Sequence, residues 1–229
     1  MEVRRINYYR IQYRKTSIVR FTSHLDVARA INRTLRRAGL PVAYSCGFNP
    51  MPRLSFGPPL PLGVESEAEL LDIELTEKLS EQEVTLALYH SLPPGLEVIQ
   101  VKKLSEKVSS LMASVNSIVY QFVIEVVVDK GKDEIETWFK YLWKSKELVV
   151  AKKAKSGEKL VNIRPFWQDY KLSFKENSLF LFEMKVEFGP RGTLRPDNFI
   201  SLFPQDFQVQ RIIRKAIYSR TEECCEKVL

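Results

Sequence analysis

The sequence predicts an α+β protein made of two tandem ferredoxin-like domains. Each would be a βαββαβ unit with an antiparallel sheet and helices packed on one face. Three observations carry this. The 229 residues suit two compact domains of about 100 residues each. Short apolar or alternating runs are interleaved with runs of helical period. The order of these elements occurs twice, although no stretch of sequence repeats.

In the first half, "YYRIQYRKTSIVRF" reads as a strand with Ile11, Tyr13, Ile18 and Phe21 as apolar anchors. Thr22 or Ser23 can cap the helix that follows, and Asp26 stands three residues after Ser23. That helix runs to about Ala38 and stops at Gly39, with Pro41 just beyond. On a helical wheel Leu25, Ala28, Ile31, Leu35 and Ala38 share one side, and Arg29, Arg33, Arg36 and Arg37 fall on another. "LPVAYS" reads as a short strand. "CGFNPMPRLSFGPPLPLG" must be a loop, because its prolines remove backbone donors. "AELLDIELTE" is a strand, "SEQEVTLALYHSL" a helix opened by a Ser80–Glu83 capping box, and "LEVIQVKKL" the closing strand.

"SEKVSSLMASVNS" reads as a connector, and the second half then starts again with the strand "SIVYQFVIEVVV". A helix, "KDEIETWFKYLWKS", precedes two strands, "KLVNIRPFWQDYKLSF" and "SLFLFEMKVEF". "GPRGTLRPDNFISLF" gives a short helix, and "FQVQRIIRKAIYS" the last strand. "ELVVAKKAKSGEK" is an inserted hairpin. The expected boundaries are residues 1–104, a connector at 105–116, residues 117–220, and a tail at 221–229.

The bulk properties exclude several classes. No run approaches the roughly 20 apolar residues of a membrane helix, and the N-terminus lacks an apolar signal core, so a cytoplasmic protein is expected. The three cysteines, Cys46, Cys224 and Cys225, are an odd number and form no CxxC pair. No disulfide framework, zinc site, iron–sulfur cluster or other cofactor is expected from them. Phosphate-loop, dinucleotide, zinc-protease and serine-hydrolase motifs are also missing, so catalysis by this chain is not expected.

The net charge of +7 suggests an anionic partner. Its distribution says more. Residues 1–50 hold ten Arg or Lys and only two acids, whereas acids crowd residues 65–83. Always-charged guanidinium forks suit phosphate oxygens. The candidate nucleic-acid contacts are therefore Arg20 at the end of the first strand, the helix residues Arg29, Arg33, Arg36 and Arg37, and Arg53 with Asn49 in the loop. Phe48 and Phe56 would stack on bases, as single-stranded RNA requires. "NIRPF" and "RGTLRPD" add Arg164, Arg191 and Arg195. The alternatives remain open: a solvated helix face paired to local acids, a loop that only covers a sheet edge, and a Pro196–Asp197 pair that only starts a helix.

His24, at the expected helix start, is a candidate acid–base group. It has no evident partner, since residues i and i+2, such as His24 and Asp26, do not face each other on a helix. A capping and packing role is the alternative.

"FTSHLDVARAINRTLRRAGLPVAYSCGFNPMPRLSFGPPLPLGVESEAELLDIEL", with "VNIRPF" and "GTLRPD", resembles the radical-SAM-linked family of uncharacterised proteins. The resemblance covers nearly the whole chain; Met51 stands where a histidine is common. It implies a partner, a radical SAM enzyme with a cobalamin-binding region, while this chain has no cluster-binding cysteines of its own. The expected function is a non-catalytic RNA-binding accessory protein that presents RNA to, or docks on, such an enzyme. The alternatives are a protein-interaction module without RNA contact and a metal-independent ribonuclease using His24.

Overall fold

The computed structural model describes residues 6–127, 130–154, 157–175, 178–220 and 225–227. The protein is a mixed α+β chain with antiparallel strand pairs and few helices. It divides into two compact units, the first reaching Val115 and the second spanning Asn116–Lys227.

The first unit runs β1 (Asn7–Lys15), α1 (His24–Arg37), β2 (Leu54–Phe56), β3 (Glu65–Leu75), α2 (Glu81–Tyr89), β4 (Leu96–Leu104) and the single turn α3 (Leu111–Ser114). β1 is central, paired antiparallel with β3 and with β4, and β2 adds to the far side of β3. The spatial order is therefore β4-β1-β3-β2. Alternation along β1 turns Tyr9, Ile11 and Tyr13 inward, where they are 0–3% exposed. Both long helices cover that face with apolar residues: Ile31 and Leu35 from α1, Val84 and Leu88 from α2. Each such side chain contributes about 1.5–3 kcal/mol by leaving water.

Local chemistry fixes the helix ends. Ser23 accepts a hydrogen bond from the Asp26 amide and so caps α1, and Gly39 follows the helix with φ +64°. Ser80 and Glu83 form a complete capping box on α2. "LPVAYS" forms only two isolated bridges, Val42 to Leu75 and Tyr44 to Pro52, rather than a strand. Leu25, expected inside, is 66% exposed, and the buried positions of α1 are Val27, Ile31, Thr34 and Leu35. Thr34 can be buried because its hydroxyl donates to the Ala30 carbonyl at 3.0 Å.

The second unit runs β5 (Val115–Val126), α4 (Lys132–Lys144), β6 (Val149–Ala154), β7 (Gly157–Asn162), β8 (Trp167–Phe174), β9 (Leu179–Gly189), β10 (Gly192–Thr193), α5 (Pro196–Ile200), β11 (Phe207–Arg220) and β12 (Cys225–Lys227). β9 and β11 flank β5; β8 and β10 pair with β9, and β12 with β11. β6 and β7 form a separate hairpin, the inserted one; Lys155 and Ser156 lie outside the described residues. The core is aromatic: Phe139 stacks on Phe182 at 4.4 Å between ring centroids, and Phe182 on Phe199 at 5.3 Å. The expected strand through "NIRPF" is broken, because Arg164–Phe166 form a 3-10 turn around Pro165. The expected tail contains β12.

Candidate functional site

The outward face of α1 carries the clearest positive surface. Arg29, Arg33 and Arg36 lie at i, i+4 and i+7, opposite Ile31 and Leu35, and all three are exposed. They span about 10 Å of helix axis. Among the described residues Arg33 and Arg36 make no ion pair. Arg29 pairs with Asp26 at 3.3 Å, but both side chains are more than half exposed, so the pairing is weak. Ser23 engages the same carboxylate and, foremost through its hydroxyl, holds Asp26 below the usual aspartate range. Arg37 donates to the Ser91 carbonyl at 2.6 Å, which orients it without cancelling its charge.

The loop after α1 divides into two parts. Ser45 and Met51 close its first part, with the Ser45 amide donating to the Met51 carbonyl and the Met51 amide to the Ser45 hydroxyl. Gly47, at φ +129°, makes the bend that projects Phe48, fully exposed, and Asn49 into solvent. The second part is structural. Leu54–Phe56 pair with Leu71–Ile73, the Gly57 amide donates to Leu70, and Pro58 and Leu60 are buried. Phe56 is half-buried against the core and meets His24 edge-on at 5.5 Å. Phe56 is thus less open to a base than the fully exposed Phe48.

Other predicted contacts are neutralised within their own unit. Arg20 approaches Glu65 at 3.8 Å and lies 4.9 Å over the Phe21 ring. Arg53 donates to Glu74 at 3.1 Å, and that hydrogen bond is the main cause that raises its pKa. Glu65 and Glu74 are nine residues apart on β3, about 30 Å along the strand. Arg20 and Arg53 therefore stand at opposite ends of the sheet and share no cleft.

In the second unit Arg191 pairs with Glu187 at 2.7 Å and Arg195 with Asp197 at 3.0 Å. Arg164 donates to the carbonyls of Trp143 and Trp167 and lies 4.4 Å over the Trp143 ring. These contacts tie Arg164 to two tryptophans of its own unit.

His24 opens α1. It packs on Phe56, and Asp26 is engaged by Ser23 and Arg29. Among the described residues no group of His, Cys, Asp and Glu could hold a metal ion, and no helix is long and apolar enough to cross a membrane. Cys46 is exposed with a free thiol; Cys224 lies outside the described residues.

Two features went unnoticed in the sequence. One is a pair of hollows at the end of the first unit's sheet, either side of Tyr8. The alternation of Tyr8, Arg10 and Gln12 with the buried positions of β1 was the available signal. The other is Arg214, 1% exposed, which donates to the Tyr120 hydroxyl at 3.3 Å; no sequence signal marks it.

The chain belongs to the family described as "Uncharacterized protein conserved in bacteria (DUF2344)", which matches residues 8–196. No curated protein matches the sequence. Among solved structures, a chain of the "Crystal Structure of a Cbf5-Nop10-Gar1 Complex" superposes with a TM-score of 0.53 at 12% identity, covering 91% of this chain and 48% of that one. A chain of the "Structure of H/ACA RNP bound to a substrate RNA containing 2'-deoxyuridine" gives a TM-score of 0.49 at 12% identity, covering 90% and 46%. The chain thus spans about half the length of the solved chains it resembles. At this identity, what is shared with the first is the fold.

Proposed function

We propose that this DUF2344 chain is a non-catalytic accessory protein that binds single-stranded RNA through the outward face of α1. The carrying observation is the row Arg29, Arg33 and Arg36, exposed on one rigid helix, with the last two outside any ion pair among the described residues. The helix fixes the spacing of these side chains, and their planar guanidinium forks suit phosphate oxygens. Phe48, on its closed loop, supplies an exposed ring for stacking, with Asn49 beside it. Arg37 adds charge at the end of the row. Arg20, Arg53, Arg191 and Arg195 would join only by exchanging a carboxylate for a phosphate.

In this reading both units are ferredoxin-like. The strand orders β4-β1-β3-β2 and β11-β5-β9-β8 support it. The chain acts in the cytoplasm, and its partnership with a radical SAM enzyme rests on the sequence resemblance alone. The test is fluorescence anisotropy with a labelled 20-nucleotide RNA. Affinity should fall steeply between about 50 and 200 mM salt, and Arg33→Ala/Arg36→Ala should weaken it. Salt-independent retention by the double variant refutes the reading.

One observation favours a second reading, docking of a protein without RNA. Ile18, Phe21, Leu25 and Leu62 are 63–79% exposed at the N-terminal end of α1. Apolar residues beside Arg29 suit an acidic, amphipathic segment of a partner enzyme. Co-purification that survives both nuclease and the double variant selects this reading.

A further inference from the structure

We infer that the end of the first unit's sheet, where β1 begins and β4 finishes, carries a trough for two nucleotides, divided by Tyr8. The inference deepens the RNA reading and rests on it for the source of the nucleotides, but it concerns a different surface from α1.

β1 register sets Tyr8 between Glu74 of β3 and Leu104 of β4. Tyr8 and Leu104 line two hollows at once, one of about 490 Å³ and one of about 590 Å³. Both volumes lie in the range of small-ligand sites. Each has cations and hydroxyls around an apolar divider. The first offers Arg53 and Lys107 with Ser55, Ser109 and Ser110. The second offers Lys78 and Lys103 with Thr76 and Ser105.

The charge balance selects an anion. In the first hollow the Asp72 carboxylate is bound by Arg10 at 2.7 and 2.8 Å and adds no net charge. Glu74 is shared between Arg53 at 3.1 Å and Lys107 at 3.8 Å, so two cations face one carboxylate. In the second hollow Lys78 and Lys103 stand with one carboxylate nearby, Glu81, which accepts from the Lys103 amide at 2.7 Å, so two cations again outnumber one acid. Among the described residues Lys78 and Lys103 make no ion pair; the Lys103 ammonium lies 5.8 Å from the Tyr9 ring centroid. Two positive, hydroxyl-rich hollows on either side of an aromatic ring match two successive nucleotides. Phosphates meet the cations, sugar and base edges meet the hydroxyls, and a base stacks on Tyr8. A free nucleotide offers the same chemistry for one hollow only.

The test uses the full chain with two labelled probes, a four-nucleotide RNA and a 20-nucleotide RNA, and AMP as competitor. Tyr8→Ala should weaken the short probe about 5- to 160-fold, the range of one lost base stack. Tyr8→Phe, which keeps the ring, should stay within about twofold of the parent. Lys78→Ala/Lys103→Ala should weaken it as well, and this variant guards against a folding defect in Tyr8→Ala. Full binding of the short probe by Tyr8→Ala overturns the trough. So does a short probe that fails to bind while the long RNA is held through Arg33 and Arg36, a result that leaves the α1 reading standing. The reverse pattern, a Tyr8-dependent short probe with the long RNA indifferent to Arg33 and Arg36, supports the trough and removes α1. AMP competing as well as the short probe overturns the strand and assigns the site to a free nucleotide.

Discussion

Arg33→Ala/Arg36→Ala has a size that can be worked in advance. Both side chains are exposed, and neither is in an ion pair among the described residues, so their removal disturbs little of the fold. Stability should change by less than about 0.5 kcal/mol. Each phosphate contact to a single strand contributes about 0.7 to the slope of log affinity against log salt. Two lost contacts should flatten the slope by about 1.4. The same relation gives a loss of about 14-fold at 0.15 M salt and about 65-fold at 0.05 M. Asp26→Asn should act in the opposite direction, because it removes the one carboxylate beside Arg29. Anisotropy titrations at four salt concentrations measure all of this. An unchanged slope in the double variant, with melting intact, would refute α1 as the phosphate-binding surface.

Three further outcomes follow from the packing. Gly95 has φ +91°, and a Cβ there would lie 2.8 and 2.9 Å from the Val19 methyls. Gly95→Ala should therefore cost about 3 kcal/mol in urea unfolding, and a loss below about 1 kcal/mol would contradict the geometry. Arg164→Ala should destabilise by on the order of 3 kcal/mol, and Arg164→Lys should not restore the loss, because two carbonyls and an indole face need the planar fork. RNA affinity should not move in either. The Lys130–Asp206 hydrogen bond of 2.6 Å holds Asp206 below the usual aspartate range and Lys130 above the usual lysine range. Its contribution is present between those two ranges. It is lost as pH falls through the lowered aspartate value or rises through the raised lysine value. Asp206→Asn should thus lose less stability than the parent on acidification from about pH 6 to about pH 2, followed by circular dichroism; equal losses would sink the assignment.

What was legible in the sequence is what local chemistry decides. Ser23, Gly39 and the Ser80–Glu83 box set helix ends within a few residues, and they stand where the pattern predicts them. Leu25 is exposed although the wheel groups it with Ile31 and Leu35, because the wheel carries no information about what lies above the helix. Charge segregation along the chain does not carry over into space. The basic first strand and the acid-rich third are antiparallel neighbours, so Arg10 faces Asp72 in register. Arg53 and Glu74, 21 residues apart, meet through the same sheet, and Arg20 reaches Glu65. Much of the positive N-terminal sequence is thereby consumed by the negative run that follows it. α1 escapes because its outer face points away from β3 and from every strand of its unit. The surviving positive charge is thus a consequence of topology. Only a helix that turns its arginines away from the acidic strand can keep them available to a polyanion.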